Sequence, residues 1–146
     1  MNPVDPWLGT EGVAHNGSVA TRLGLSGVPV ESETISILTV LELIRSIDVD
    51  VHFCRVSSER GVQLIRQATS DGVKVTADVG VHHLHLTQID IDDFNTNSKV
   101  SPPFRTQRDR EALSLGLIDG TIDCICSDHT PINEELKNLP FAEATP

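Results

Sequence analysis

The stretch Thr121 to Pro131, Thr-Ile-Asp-Cys-Ile-Cys-Ser-Asp-His-Thr-Pro, puts an acid and an imidazole where a short β-prone run stops. β-Branched residues favour a strand and Pro131 cannot donate to a ladder, so Asp128 and His129 are expected at a strand's C-terminal edge. In α/β barrels that edge carries the chemistry. Three other places offer polar groups in an equivalent position: Arg55 after Cys54, Asp78 with His82, His83 and His85 beyond it, and Ser101 before Pro102-Pro103. An imidazole and two carboxylates converging there suit a borderline divalent ion such as zinc, with a position left for water. Metal-assisted hydrolysis is the matching reaction class. Taken singly, each motif also fits plainer structure: Asp128 capping the next segment, and the histidines making ordinary surface hydrogen bonds.

The elements that must position these residues follow from periodicity. Residues 1–32 hold five of the ten glycines and three of the eight prolines, and read as a loop-rich opening segment without a core of its own. Ile37, Leu38, Leu41, Ile44 and Ile47 recur at helical spacing from Glu33, with Ser32 as the N-cap. Val49 to Cys54 alternates as a strand; Ser57 or Ser58 caps a helix through Ala68 with Val62, Leu64 and Ile65 inward; Asp71-Gly72 turns the chain into a strand from Val73 to Val79. A long loop follows, and long loops in α/β domains are usually functional. Thr106 with Asp109 opens another helix that ends near Gly120, before the strand that leads to Asp128. Alternating strands and helices predict a parallel sheet and an α/β class.

At 146 residues the chain can bury a core but falls short of the ~250 residues of a complete (β/α)8 barrel. A formal charge of -10 with 11 scattered basic residues argues against nucleic acid and anionic membrane surfaces. No apolar run approaches the ~18 residues of a membrane span and no leader pattern opens the chain, so a cytoplasmic location is expected. Cys54, Cys124 and Cys126 are odd in number, lack CxxC spacing and sit in apolar runs, and are expected as buried small hydrophobes.

The motifs Asp78-Val-Gly-Val-His-His-Leu-His-Leu-Thr, Val100-Ser-Pro-Pro-Phe-Arg and Ile125-Cys-Ser-Asp-His-Thr-Pro, in that order, resemble a dihydroorotase of the long bacterial type, within the zinc amidohydrolase superfamily. The similarity extends from Asp5-Pro-Trp-Leu to the terminal Leu139-Pro-Phe-Ala-Glu-Ala-Thr-Pro. It implies a partial (β/α)8 barrel of TIM type, zinc as cofactor, and reversible hydrolysis of dihydroorotate to N-carbamoyl-L-aspartate in de novo pyrimidine biosynthesis. It also implies metal-binding roles for Asp5, His82 and Asp128, and for Asp128 the part of catalytic acid and base. Ser101 stands at the substrate-binding position before the double proline.

Departures from the family pattern are equally specific. Its strand-five motif, His-x-x-His-Val-Ser, here reads His52-Phe-Cys-Arg55-Val-Ser57, and a guanidinium offers a metal no lone pair. His52 lies three residues earlier and cannot simply take over. Ser101 replaces an Asn, Ile132 replaces a substrate-binding His, and the His-x-His-x-Arg of the first barrel strand is nowhere in the sequence. Residues 1–146 are therefore expected to be the C-terminal part of an amidohydrolase barrel, a single incomplete domain and inactive alone. The substitutions also resemble degenerate dihydroorotase-like subunits that assemble with aspartate carbamoyltransferase, with Arg55 in the place of a lost metal. A soluble α/β fragment without a function of its own is the third reading.

Overall fold

Three short strands lie side by side in parallel, β3 (Val51–Phe53), β4 (Val75–Gly80) and β5 (Cys124–Cys126), with β4 in the middle. The computed structural model describes residues 1–47 and 49–146. Register pairs Phe53 with Ala77, Asp78 with Cys124 and Gly80 with Cys126. Helices α2 (Glu31–Ile44), α3 (Glu59–Ser70) and α4 (Gln107–Ile118) supply the apolar cover. One face of the sheet packs Phe53, Ala77 and Val79 against Val62, Ile65 and Leu113 in the main core. Strand, helix, strand with parallel pairing is the βαβ unit the periodicity predicts, repeated once.

Local chemistry sets the helix starts. Ser58 accepts the Gly61 N–H and caps α3, and Thr106 with Asp109 forms a reciprocal capping box at α4, both as expected. Beyond α4, Gly120 takes a left-handed φ of 77° that lets the chain turn back to the sheet. The start of α2 differs. Its cap is Val30, and Ser32 is buried inside the first turn, because the Pro29 and Val30 carbonyls already receive the N–H groups of Ser32 and Thr34.

Two expectations are corrected by packing. The opening segment is not without a core: β1 (Ala14–His15) pairs in parallel with β2 (Gly27–Val28), and α1 (Ser18–Leu23) packs Val19 and Ala20 with Ala14. Ile91 and Phe141, distant in sequence, complete that cluster, so no local periodicity announced it. The cysteines are not buried hydrophobes: Cys124 is exposed and Cys54 and Cys126 are half-buried. Strand alternation puts all three on the sheet face that the helices do not cover, together with His52, Thr76 and Asp78.

Between β4 and α4 the chain runs through three 3-10 turns, Val81–Leu84, Gln88–Ile91 and Thr96–Ser98. The last helix, α5 (Glu134–Lys137), sends the Lys137 ammonium back to the carbonyls of Thr96, Lys99 and Thr145. That ties the C-terminal segment over the long loop. Among the described residues no helix is long and apolar enough to cross a membrane.

Candidate active site

At the C-terminal ends of β3, β4 and β5 the chain leaves the sheet into a cleft of about 490 Å³. Arg55, His82, Ser101, Asp128 and His129 line it, with Lys99 and Lys137 at its edge. Arg55 Nη1 lies 3.2 Å from both Asp128 oxygens and 3.2 Å from the Ser101 carbonyl. Arg55 and Asp128 both hold left-handed backbones, with φ of 59° and 48°. Such angles cost a non-glycine residue about 1 kcal/mol or more and concentrate where a structure aims side chains for function.

His82 follows β4 in the first 3-10 turn, its ring 4.5 Å from that of His83 and 5.5 Å from that of Phe104. Its Nε2 is buried without a hydrogen-bond partner among the described residues. Burial pushes its pKa below the ordinary imidazole value; the Asp128 charge opposes this and the Arg55 charge adds to it. The neutral ring therefore offers a lone pair to whatever enters the cleft. His83 faces the other way, its Nε2–H donating to the Pro102 carbonyl at 3.1 Å, and burial first, then His82, holds its pKa down at about 3. His85 lies outside the cleft, its carbonyl accepting from Arg110 of α4.

Of the residues singled out in the sequence, the fold brings His82, Ser101 and Asp128 to one cleft. Asp5 lies elsewhere. It borders a neighbouring cavity of about 310 Å³, with Ser101 on the wall between the two, and its Oδ1 accepts the N–H groups of Trp7 and Leu8 at 2.9 Å each. Asp78 does not line the cleft either. Its oxygens take the His52 ring at 2.9 Å, the Arg55 N–H at 2.7 Å and the Cys126 thiol at 3.3 Å. Cys54, Thr76 and Cys126 were not singled out for this group; the alternation His52-Phe-Cys54 and Cys124-Ile-Cys126 was the available signal.

No protein-family model matches the chain. Curated proteins do: it is 42% identical over 137 residues to a dihydroorotase of Caldanaerobacter subterraneus subsp. tengcongensis, covering 94% of this chain and 32% of that protein. A dihydroorotase of Staphylococcus epidermidis is 41% identical over 91% of the chain and 31% of its own length. Over nearly all of its length the chain is similar to dihydroorotases. It spans about a third of the length of these curated dihydroorotases. Among solved structures, the L-hydantoinase (dihydropyrimidinase) of Arthrobacter aurescens superposes with a TM-score of 0.73 at 31% identity, over 84% of this chain and 27% of that one. The Saccharomyces cerevisiae dihydroorotase, solved with 5-fluoroorotic acid, superposes at 0.67 and 21% identity over 87% of this chain and 35% of that one, a likeness of fold. The parallel βαβ units are thus a portion of the (β/α)8 amidohydrolase barrel.

The residues present do not fit the zinc centre that the resemblance to dihydroorotases implies. The partnerless Nε2 of His82 suits one metal contact, but Asp128 is engaged by the Arg55 cation and the Asp5 carboxylate borders a different cavity. A guanidinium beside the remaining carboxylate repels a divalent ion from the position it neutralises.

Proposed function

We propose that this chain is the C-terminal part of a dihydroorotase barrel, whose complete form hydrolyses dihydroorotate reversibly to N-carbamoyl-L-aspartate in cytoplasmic pyrimidine synthesis. The convergence of His82, Ser101 and Asp128 on one strand-end cleft is the observation that carries this reading. Charge supports it: in a chain of net charge -10 the cleft gathers Arg55, Lys99 and Lys137 against Asp128, a potential that suits a small carboxylate substrate. Asp128 would hold and return the proton of the scissile nitrogen, Ser101 would contact the substrate, and His82 would orient it. The residues present do not complete a zinc centre, and the 146-residue chain by itself is inactive.

One observation favours a second reading, a non-catalytic subunit that assembles with aspartate carbamoyltransferase. Arg55 closes on Asp128 as a built-in cation, so the acid and base of the reaction is already neutralised. The test is hydrolysis of dihydroorotate by the purified chain with added zinc, run beside sedimentation with and without aspartate carbamoyltransferase. No turnover is expected. Zinc-dependent turnover lost in Asp128→Ala would overturn the inactivity of the chain, and co-sedimentation would favour the second reading over the first.

A further inference from the structure

The side of the sheet left open by the helices carries a second group of donors that the reading above does not use. His52 and Cys54 project from β3 and its end, and Asp78 projects from β4. One ligand atom from each lies within 4.8 Å of the other two. Cys126 on β5 adds a fourth donor, its Sγ 3.3 Å from Asp78 Oδ1. We propose that His52, Cys54 and Asp78, with Cys126 as fourth ligand, bind one zinc-class divalent ion on this open face.

The donor types select the ion. One imidazole nitrogen, one carboxylate oxygen and two sulfurs form a tetrahedral set for a borderline-to-soft metal, and a poor one for magnesium or calcium, which demand oxygen. Bonds of about 2.0–2.3 Å place tetrahedral donors roughly 3.5 Å apart, so His52, Cys54 and Asp78 need only a modest contraction, and Cys126 must swing in from its contact with Asp78 to complete the set. The scaffold for that contraction is rigid, since the donors stand at or beside neighbouring parallel strands in fixed register.

The outer contacts are also in place. Thr76 Oγ1 sits 2.7 Å from His52 Nδ1, which leaves Nε2 as the nitrogen turned toward Asp78, 2.9 Å away. On metal binding the ring proton resides on Nδ1 and donates a hydrogen bond to Thr76 Oγ1, while each thiol releases its proton to solvent. Asp78 keeps the Arg55 N–H on Oδ1 and so remains oriented. Access is open, because the His52 side chain is 38% exposed. In the absence of metal the same groups are held by the His52–Asp78 hydrogen bond, the simpler role against which the proposal is tested.

The experiment is a cobalt(II) titration of the 146-residue chain under reducing conditions, followed by zinc competition against a chromophoric chelator. Expected are one equivalent bound, the intense visible bands of a tetrahedral site and a sulfur-to-cobalt charge-transfer band in the near ultraviolet. Cys54→Ser with Cys126→Ser should abolish the ultraviolet band, and Asp78→Asn should weaken binding about tenfold or more. Asp128→Ala, which alters the other cleft, should leave affinity within about twofold, and circular dichroism checks that each variant folds. Cobalt bound without a sulfur band, affinity that falls with Asp128→Ala but survives the serine pair, or no binding would each overturn the site. None of these outcomes depends on dihydroorotate turnover, so this site and the proposed function fail separately.

Discussion

Arg55 Nη1 stands equidistant from the two oxygens of Asp128, at 3.2 Å from each, and both residues reach that position from left-handed backbones. The pair joins the end of β3 to the chain just beyond β5, across the cleft mouth, with the two side chains only 30% and 24% exposed. Where the family pattern supplies a histidine, this chain supplies a fixed positive charge. The cation is further held by the Ser101 carbonyl, so the long loop and the segment beyond β5 both close on one guanidinium.

Backbone strain at Arg55 can be separated from its ion pair by two substitutions. Arg55→Ala and Arg55→Gly both lose the pair, a loss of about 1 kcal/mol for a partly exposed bridge. Only glycine relieves the φ of 59°, so Arg55→Gly should be more stable than Arg55→Ala by about 1 kcal/mol. Urea unfolding of the two variants decides it, and an alanine variant as stable as the glycine variant would show that the conformation carries no strain.

His83 should make stability fall on mild acidification. Its folded pKa is about 3, held down first by burial and then by His82, while the unfolded value is near 6.5. Below 6.5 the unfolded chain takes up a proton that the folded chain refuses until about 3. Stability therefore declines through that window by about 1.4 kcal/mol per pH unit for this group, and is unaffected above it. His83→Phe keeps a ring against Phe104, 5.2 Å away, and removes the titration. At pH 7 the variant should be less stable by about 1 kcal/mol for the lost bond to Pro102. By pH 5 the wild type should have lost about 2 kcal/mol relative to it. Urea midpoints at the two pH values test this, and parallel losses in both proteins would remove His83 as the cause.

How far the sequence reaches depends on the range of the interaction. The caps at Ser58 and at Thr106 with Asp109 involve residues three apart, and both form as read. The βαβ order was legible for the same reason, since period and turn residues are local. The core under the opening segment was not, because Ile91 and Phe141 close it from far along the chain. Cysteine burial failed on a different point: alternation tells which residues share a face, but only tertiary packing tells which face the helices cover. Asp5 shows the same limit for the site. Its motif matches, yet its position depends on how the opening segment folds against the start of α2, where the Asp5 N–H meets the Ser32 carbonyl.

Asp78 predicts a second acid effect, of opposite origin. Burial pushes its pKa up, but the hydrogen bonds from His52, the Arg55 N–H and the Cys126 thiol outweigh burial and bring it below the ordinary carboxylate value. A depressed carboxylate stabilises the fold above its unfolded pKa near 3.9, and that contribution disappears as pH falls through the folded value. His52→Ala removes one of the three bonds, so the Asp78 pKa should rise and the acid-unfolding midpoint should move to higher pH. Carboxyl carbon NMR shifts of Asp78 report the first change directly. An unchanged titration in His52→Ala would mean that the ring does not hold the carboxylate.

The buried carboxylate of Glu33 gives the sharpest stability prediction. From the first turn of α2 it reaches the start of α3, where Oε2 accepts the Ser57 N–H at 2.9 Å and the Ser57 hydroxyl, and Oε1 accepts the Ser58 N–H at 3.0 Å and its hydroxyl at 2.5 Å. A negative charge at a helix N-terminus is favourable, and Arg105 bonds Ser57 from the other side at 3.1 Å. Glu33→Gln turns one acceptor into a donor facing donors and should cost about 2–3 kcal/mol. Gly61 is matched to the same carboxylate, since a Cβ there would overlap Glu33 Oε1. Alanine in place of a helical glycine ordinarily gains up to about 1 kcal/mol, but four hydrogen bonds fix this carboxylate, two of them on Oε1, so Gly61→Ala should instead destabilise by about 1–3 kcal/mol. In a Glu33→Ala background the clash is gone, and the same Gly61→Ala change should become neutral or stabilising. That reversal is the measurable quantity in a double-mutant cycle, and additive effects would show that Gly61 and Glu33 are not coupled.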